Sequence, residues 1–434
     1  MHATIERLSH DGRGVARIDG KTTFITGALP GEVVSFRTTR THKRFDEALC
    51  EEVLQPSPAR STPPCPHFLT CGGCTLQHMV LEEQIKLKEA ILLEQLQHVG
   101  GITPLTVLPP LSTDIALGYR RKARLTVRYV KKKQKVLVGF RELDNPRFVA
   151  SITQCIVLAP EIGKNIEPLR QLIENLEVAP YIPQLEIAVG EGQVAIVFRN
   201  KVPLPDQDLQ KLRDFGALHK FDIYLQPGGI DKIEALEKEK PIRPLSYTLP
   251  TMGLRFDFYP TDFIQVHATG NEQLITHALT LLTIARDERV LDLFCGIGNF
   301  SLPIAQHAAQ VVGIEGAAAM IQTARANALQ NHIHSVDFYE ADLTQSLEDY
   351  PWAAGSYDKI ILDPPRSGAL SLMTELPRLG ASKILYISCN PATLARDAKE
   401  LISTQHYILD TTGVVDLFPH TSHSEAYALF VRTD

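Results

Sequence analysis

Apolar and polar positions alternate on different periods along the chain, and the change of period divides it. Over residues 1–55, short apolar or β-branched runs such as Thr22-Thr23-Phe24-Ile25 and Glu32-Val33-Val34-Ser35-Phe36 are cut by turn signals: Asp11-Gly12-Arg13-Gly14, Asp19-Gly20 and Pro30-Gly31-Glu32. Short strands closed by glycine turns predict a small β-barrel, a fold that often binds single-stranded nucleic acid. Pro56, Pro58, Pro63, Pro64 and Pro66 then mark an irregular linker. The stripe Leu81, Ile85, Leu92 and Leu96 predicts an amphipathic helix over 79–98. Between Tyr119 and Val130, Arg and Lys interleave with apolar residues, so a strand there puts its basic side chains on one face. From residue 251 onward, strand-like runs alternate with helical ones. The strands read as 289–293, 310–314, 336–339, 359–362 and 383–387. That alternation predicts an α/β domain with a parallel sheet.

Composition adjusts this picture little. A chain of 434 residues with 44% hydrophobic and 22% charged residues is ordinary globular protein of two or three domains. The expected units are a barrel at 1–57, a central α+β domain at 58–250 and an α/β domain at 251–434. There is no apolar run long enough to span a membrane, and Met1–Arg7 lacks the basic flank and apolar core of a secretory signal. A cytoplasmic protein is expected. The net charge of −6 argues against nucleic acid, but residues 118–147 hold eleven Lys or Arg against Glu142 and Asp144. A local patch matters more than the total for polyanion binding.

Candidate chemistry gathers at the strand ends, where ligands of open α/β sheets bind. The first strand runs into Asp292-Leu293-Phe294-Cys295-Gly296-Ile297-Gly298-Asn299, whose glycines permit a tight turn and close ligand approach. The second ends at Glu315, suited to both hydroxyls of a ribose, and the third near Asp342, suited to an adenine amino group. A nicotinamide cofactor fits less well, because the loop lacks the third glycine that seats a pyrophosphate on a helix N-terminus. S-adenosylmethionine has no phosphate to seat. The fourth strand ends in the rigid Asp363-Pro364-Pro365-Arg366.

The fifth strand ends in Ser388-Cys389-Asn390-Pro391. An isolated cysteine is more often core packing, but a polar turn at the active edge of the sheet makes Cys389 a candidate nucleophile. Uracil C5 is a weak nucleophile until a thiolate adds to C6. A base must then take the C5 proton so that the thiolate can leave. Methylation of an exocyclic amine needs neither group. Glu425, just before the apolar run 426–431, is the candidate base, with His420 and His423 as rivals. The uridine must also be turned out of its stack.

The seven cysteines are an odd number in a chain read as cytoplasmic, which speaks against a disulfide framework. Cys65, Cys71 and Cys74, with the distant Cys155, suit zinc and an iron–sulfur cluster equally.

These motifs together resemble the bacterial RNA uridine-C5 methyltransferases, most closely those acting on 23S ribosomal RNA. The resemblance spans essentially the whole chain. It implies Cys389 as nucleophile and Glu425 as base, and cofactor contacts from Gln265, Phe294, Asn299, Glu315, Asp342 and Asp363. It also implies a [4Fe-4S] cluster on Cys65, Cys71, Cys74 and Cys155, structural or RNA-positioning because uridine methylation needs no electron. Residues 1–55 resemble the RNA-binding barrel called TRAM. Its presence favours a ribosomal RNA substrate, because the transfer-RNA enzyme of the family is expected to lack it. The expected partner is 23S ribosomal RNA, with no membrane, and the chain is expected to act as a monomer. Two positions depart from the family pattern: His267 stands where Asn is expected, and Ser424 replaces an apolar residue.

Overall fold

The computed structural model describes residues 1–229, 232–237 and 239–433. The N-terminal strands, from His2–Thr4 to Phe45–Gln55, form one six-stranded sheet curled around Ile5, Ile25, Val34 and Phe36. Its turn chemistry is as the glycines require: Gly12, Gly20, Gly27 and Gly31 all have positive φ. The proline linker is fastened to this unit by buried Glu32. That carboxylate accepts from Arg60 Nη2 at 2.7 Å and from the Leu29 and Ser57 amides at 2.8 and 3.2 Å.

A second six-stranded sheet, from Lys122–Val130 to Glu234–Ala235, is buried on both faces. Leu185 and Ile187 pack under helices Ile166–Glu174 and Asp206–His219, while Ala188 and Ala195 join the core of the C-terminal domain through hairpin Leu245–Leu249/Leu254–Phe258. This double burial changes the role of the basic strand. Arg121 is buried, with Nε donating to the Gln265 carbonyl at 2.8 Å, and Lys122 is held by the Pro260 and Asp262 carbonyls. Arg124 pairs with Glu186 at 2.7 Å. The strand is therefore not a continuous phosphate-facing row. The exposed cations lie at its far end, on the turn Lys131–Lys133.

The third sheet contains β1 (Arg289–Leu293), β2 (Gln310–Glu315), β3 (Val336–Glu340), β4 (Lys359–Leu362), β5 (Lys383–Ser388), β6 (Tyr407–Val415) and β7 (Glu425–Arg432). Its order is β3-β2-β1-β4-β5-β7-β6, closed by the short strand Thr106–Val107 beyond β6. The first five strands run parallel, and β7 runs antiparallel between β5 and β6. All five strands read from the sequence are present. The sequence reading did not identify β6.

Helix α1 (Leu81–Gln95) packs on this third sheet, against β6 and the helix after β5. Residues 81–112, read as part of the 58–250 unit, thus belong by packing to the catalytic unit. The buried face also differs from the apolar stripe. It is Gln84, Lys88, Ile91, Leu92 and Leu96, while Leu81 is 38% exposed. Two polar side chains lead the buried face because their partners lie on the loop between β6 and β7.

Candidate active site

The loop after β1 reverses sharply. Phe294 has φ +65°, Gly296 +57° and Gly298 +91°, so two of the three left-handed positions carry glycine. Asp292, 1% exposed, accepts from the Ser301 hydroxyl, and burial pushes its carboxyl up to about 7. Glu315, at the end of β2, accepts from the Gly296 amide at 3.2 Å and the Ala317 amide at 3.1 Å. It therefore ties the first two strand-end loops together, and its outer lone pairs remain for a diol. Asp342 is exposed and accepts from the Thr344 amide and hydroxyl at 3.0 and 2.7 Å, which holds its carboxyl low.

Asn299 is more committed. Its Oδ1 accepts from Tyr247 Oη and Asn271 Nδ2, and its Nδ2 donates to Asn271 Oδ1, all at 2.9 Å. One amide hydrogen is left over, so Asn299 mainly braces the loop. Asn271 and Tyr247 were not legible as site residues, because each lies in an apolar stretch with no motif around it. Gln265 donates to Asp363 Oδ2 at 3.3 Å. His267 caps helix α2 (Ala268–Leu282): its Nδ1 accepts from the Gly270 amide at 3.1 Å, as an Asn oxygen would. Its Nε2, which then carries the proton, lies 2.9 Å from the Ile115 carbonyl. The departure from Asn keeps the cap and adds a tie to the 113–115 loop.

Cys389 sits half-buried just past β5, before helix α3 (Pro391–Ser403), which Asn390 caps through the Ala392 amide. Asn390 Nδ2 also donates to the Arg366 carbonyl at 3.1 Å, joining this turn to the Asp-Pro-Pro-Arg loop. Strand register brings the base into place. Ser388 pairs with Ala426 and Val415 with Glu425, so Cys389 and Glu425 face each other one step beyond the ladder. Facing residues on antiparallel strands have Cβ atoms about 5 Å apart. Glu425 is 3% exposed, and burial, then Asp363, raises its carboxyl well above the usual range. Asp363 is raised to about 7 by burial. Burial, Glu425 and Asp363 push the Cys389 thiol up to about 11, against a downward pull from Arg366.

Cys389 opens into a cleft of about 280 Å³ lined also by Arg366, Ser422, His423, Ser424 and, from the N-terminal sheet, His10 and Asp11. Ser424 is a cleft-lining group, which accounts for a polar residue there. His420 is turned away: its ring nitrogen lies 3.3 Å from Gln84 Nε2 in the interior, so it is a structural histidine. Arg366 and the two N-terminal residues were missing from the sequence reading. Arg366 was visible in its motif, whereas His10 and Asp11 reach the cleft only through domain packing. A basin of about 640 Å³ continues from the cleft, sharing Asp11 and Ser422 with it and lined by Arg13, Arg37 and Arg40.

Cys65, Cys71, Cys74 and Cys155 line one small cavity. Burial pushes the thiols of Cys71 and Cys74 up to about 11 and about 12. Among the described residues, no group of three or more His, Cys, Asp or Glu is arranged to hold a metal ion. Cys50 lies apart in the N-terminal sheet. Cys295 is 3% exposed within the main core and does not reach the cleft. No helix among the described residues is long and apolar enough to cross a membrane.

Comparison with known proteins agrees with this geometry. Residues 210–433 match the family model described as tRNA (Uracil-5-)-methyltransferase, and residues 1–48 match the TRAM domain. A 23S rRNA (uracil(1939)-C(5))-methyltransferase RlmD from Legionella pneumophila is 47% identical over 430 residues, covering 99% of this chain and 97% of that one. The protein of the same name from Xanthomonas campestris is 48% identical, covering 100% and 97%. Among solved structures, the Pyrococcus abyssi tRNA (uracil-54, C5)-methyltransferase with S-adenosyl-L-homocysteine superposes with a TM-score of 0.73 at 24% identity, covering 99% of this chain and 100% of that one. Because that transfer-RNA enzyme shares the fold over nearly the whole chain, the N-terminal barrel does not by itself separate the two RNA classes. With a family model matching half its length and full-length relatives near half identity, this chain belongs to the uracil-C5 RNA methyltransferase family and carries a TRAM domain.

Proposed function

We propose that this protein transfers a methyl group from S-adenosylmethionine to C5 of a uridine in 23S ribosomal RNA. The observation that carries the chemistry is the placement of Cys389 and Glu425 on facing strand ends at one cleft. Full-length relatives named for the ribosomal RNA substrate support the choice of RNA.

S-adenosylmethionine, when bound, supplies an electrophilic methyl group. Glu315, Asp342, Gln265, Phe294, Asn299 and Asp363 border the place for it at the ends of β1 to β4. Cys389 adds as a thiolate to C6 of the extruded uracil, and the C5–C6 electron pair becomes available at C5. Once C5 carries the methyl group, Glu425 takes its proton, the double bond returns and Cys389 leaves as a thiolate. Burial disfavours the ionised form of Glu425, which makes its carboxylate the stronger base once formed. The arginine-lined basin is the path by which the RNA strand reaches the cleft.

The four cysteines fit a [4Fe-4S] cluster better than zinc. Zinc draws its four sulfurs to about 2.3 Å from one centre, whereas these thiols surround a shared cavity without converging on one ion site. Cys65, Cys71, Cys74 and Cys155 would hold the cluster, which would pin the loops bearing them.

RNA containing 5-fluorouridine tests the reading. The fluorine at C5 cannot be abstracted, so a stable adduct at Cys389 is expected, and Cys389→Ala abolishes both adduct and turnover. Glu425→Gln accumulates the methylated adduct on ordinary RNA. Full turnover by Cys389→Ala would defeat the mechanism. An unchanged 23S C5-methyluridine inventory in cells lacking the protein, with a missing transfer-RNA site instead, would reassign the substrate.

A further inference from the structure

The loop 416–424, between β6 and β7, supplies one wall of the cleft and ends at Glu425. Nine residues between two paired strands have many conformations open to them, and fixing one costs entropy. The loop is held from behind at unusually many points. Lys88, 1% exposed, donates to Asp416 Oδ1 at 2.6 Å and to the Phe418 carbonyl at 2.9 Å. One turn earlier on α1, the wholly buried Gln84 accepts from the His420 amide at 2.8 Å. Its Nε2 donates to the Leu76 and Met79 carbonyls at 3.1 and 2.7 Å. The Thr75 and Leu76 amides both donate to the His420 carbonyl at 3.0 Å. Thr75 Oγ1 accepts from the Ser422 amide at 2.9 Å. These bonds hold His420 at φ +67°, a conformation non-glycine residues rarely adopt. Past Ser422 the backing ends, and His423 and Ser424 face the cleft.

A buried ion pair seldom stabilises a fold more than a packed apolar pair would. What Lys88 and Asp416 contribute is one geometry in place of many. We infer that Thr75, Gln84 and Lys88 form a clamp that positions the catalytic loop, so that the base meets C5 of the uridine already bound to Cys389. They are positioning residues, and the inference rests on the uridine-C5 reading above. Thr75 directly follows Cys74, so the cysteine-lined cavity and the catalytic loop are joined across three consecutive residues, Cys74 to Leu76. The cysteine region thereby serves the proton-abstraction step mechanically, without electron transfer.

The test uses the full-length protein with Thr75→Val, which removes the hydroxyl at nearly constant size, and Thr75→Ser, which keeps it. For Thr75→Val, S-adenosylmethionine affinity by calorimetry and adduct yield on 5-fluorouridine RNA should match wild type. Turnover on ordinary RNA should fall about tenfold or more, and a methylated covalent enzyme–RNA adduct should accumulate. Hydrogen exchange at the Ser422 amide should quicken, and Thr75→Ser should restore all three. The double variant Lys88→Met/Asp416→Leu should show the same split with an unchanged melting temperature, and it carries the test if Thr75→Val does not fold. Wild-type turnover in both, or equal loss of adduct and turnover, overturns the clamp. A wild-type protein that forms no adduct with 5-fluorouridine RNA overturns the underlying reading instead.

Discussion

Cys389 lies between opposing fields. Burial, Glu425 and Asp363 hold its proton on, while Arg366 pulls toward the thiolate, and the balance lies near 11. An ordinary thiol ionises near about 8.5, so the resting enzyme keeps a protonated, protected nucleophile. Alkylation of Cys389 by iodoacetamide, mapped by mass spectrometry, should therefore rise with pH around a midpoint well above that of a free thiol. Glu425→Gln removes a neighbouring negative charge, so the thiolate becomes easier to form and the midpoint should move down. A midpoint that stays put would show that the carboxylate is too remote to act on this sulfur.

At the scale of elements, helix ends and strand ends place the chemistry. Helix α2 begins at His267, whose ring nitrogen occupies the Gly270 amide. His267→Asn should keep nearly full stability, while His267→Ala should lose about 1 kcal/mol in denaturant titration, the usual effect of deleting a cap. An alanine variant as stable as wild type would mean that water caps the helix equally well. Helix α1 illustrates the opposite case, in which a tertiary partner overrides a sequence pattern. Leu81 and Ile85 look like its buried stripe, yet Gln84 and Lys88 are the residues that go in, because the loop 416–424 offers them carbonyls and a carboxylate.

At the scale of the whole molecule, the N-terminal sheet roofs the catalytic cleft with His10 and Asp11, and Arg13, Arg37 and Arg40 line the basin leading to it. The net charge of −6 therefore says little about where RNA lies. If that basin guides the strand, Arg37→Gln/Arg40→Gln should weaken RNA binding and flatten its dependence on salt. Each lost phosphate contact should remove about 0.7 to 0.9 from the slope of log K against log salt. S-adenosylmethionine affinity should not change. An unaltered slope in filter binding would move the RNA path elsewhere.

The α/β strands, the cofactor loop, Glu315, the Asp-Pro-Pro-Arg turn and Cys389 were all legible in the chain. Each depends on local order: a run of apolar residues, a glycine that permits a reversal, a polar group at the strand's end. The resemblance to a known family supplied roles for them. Tertiary structure alone decided the antiparallel entry of β7 between β5 and β6, which sets residue 425 opposite residue 389. It also decided the inward use of Arg121 and Lys122, the pairing of Asn299 with Asn271, and the passage of Gln84 and Lys88 beneath the catalytic loop. These features join residues tens to hundreds of positions apart. Sequence periodicity reports which side of an element is apolar, but a polar side chain is buried only where a distant segment supplies its partner, and that is settled when the chain packs.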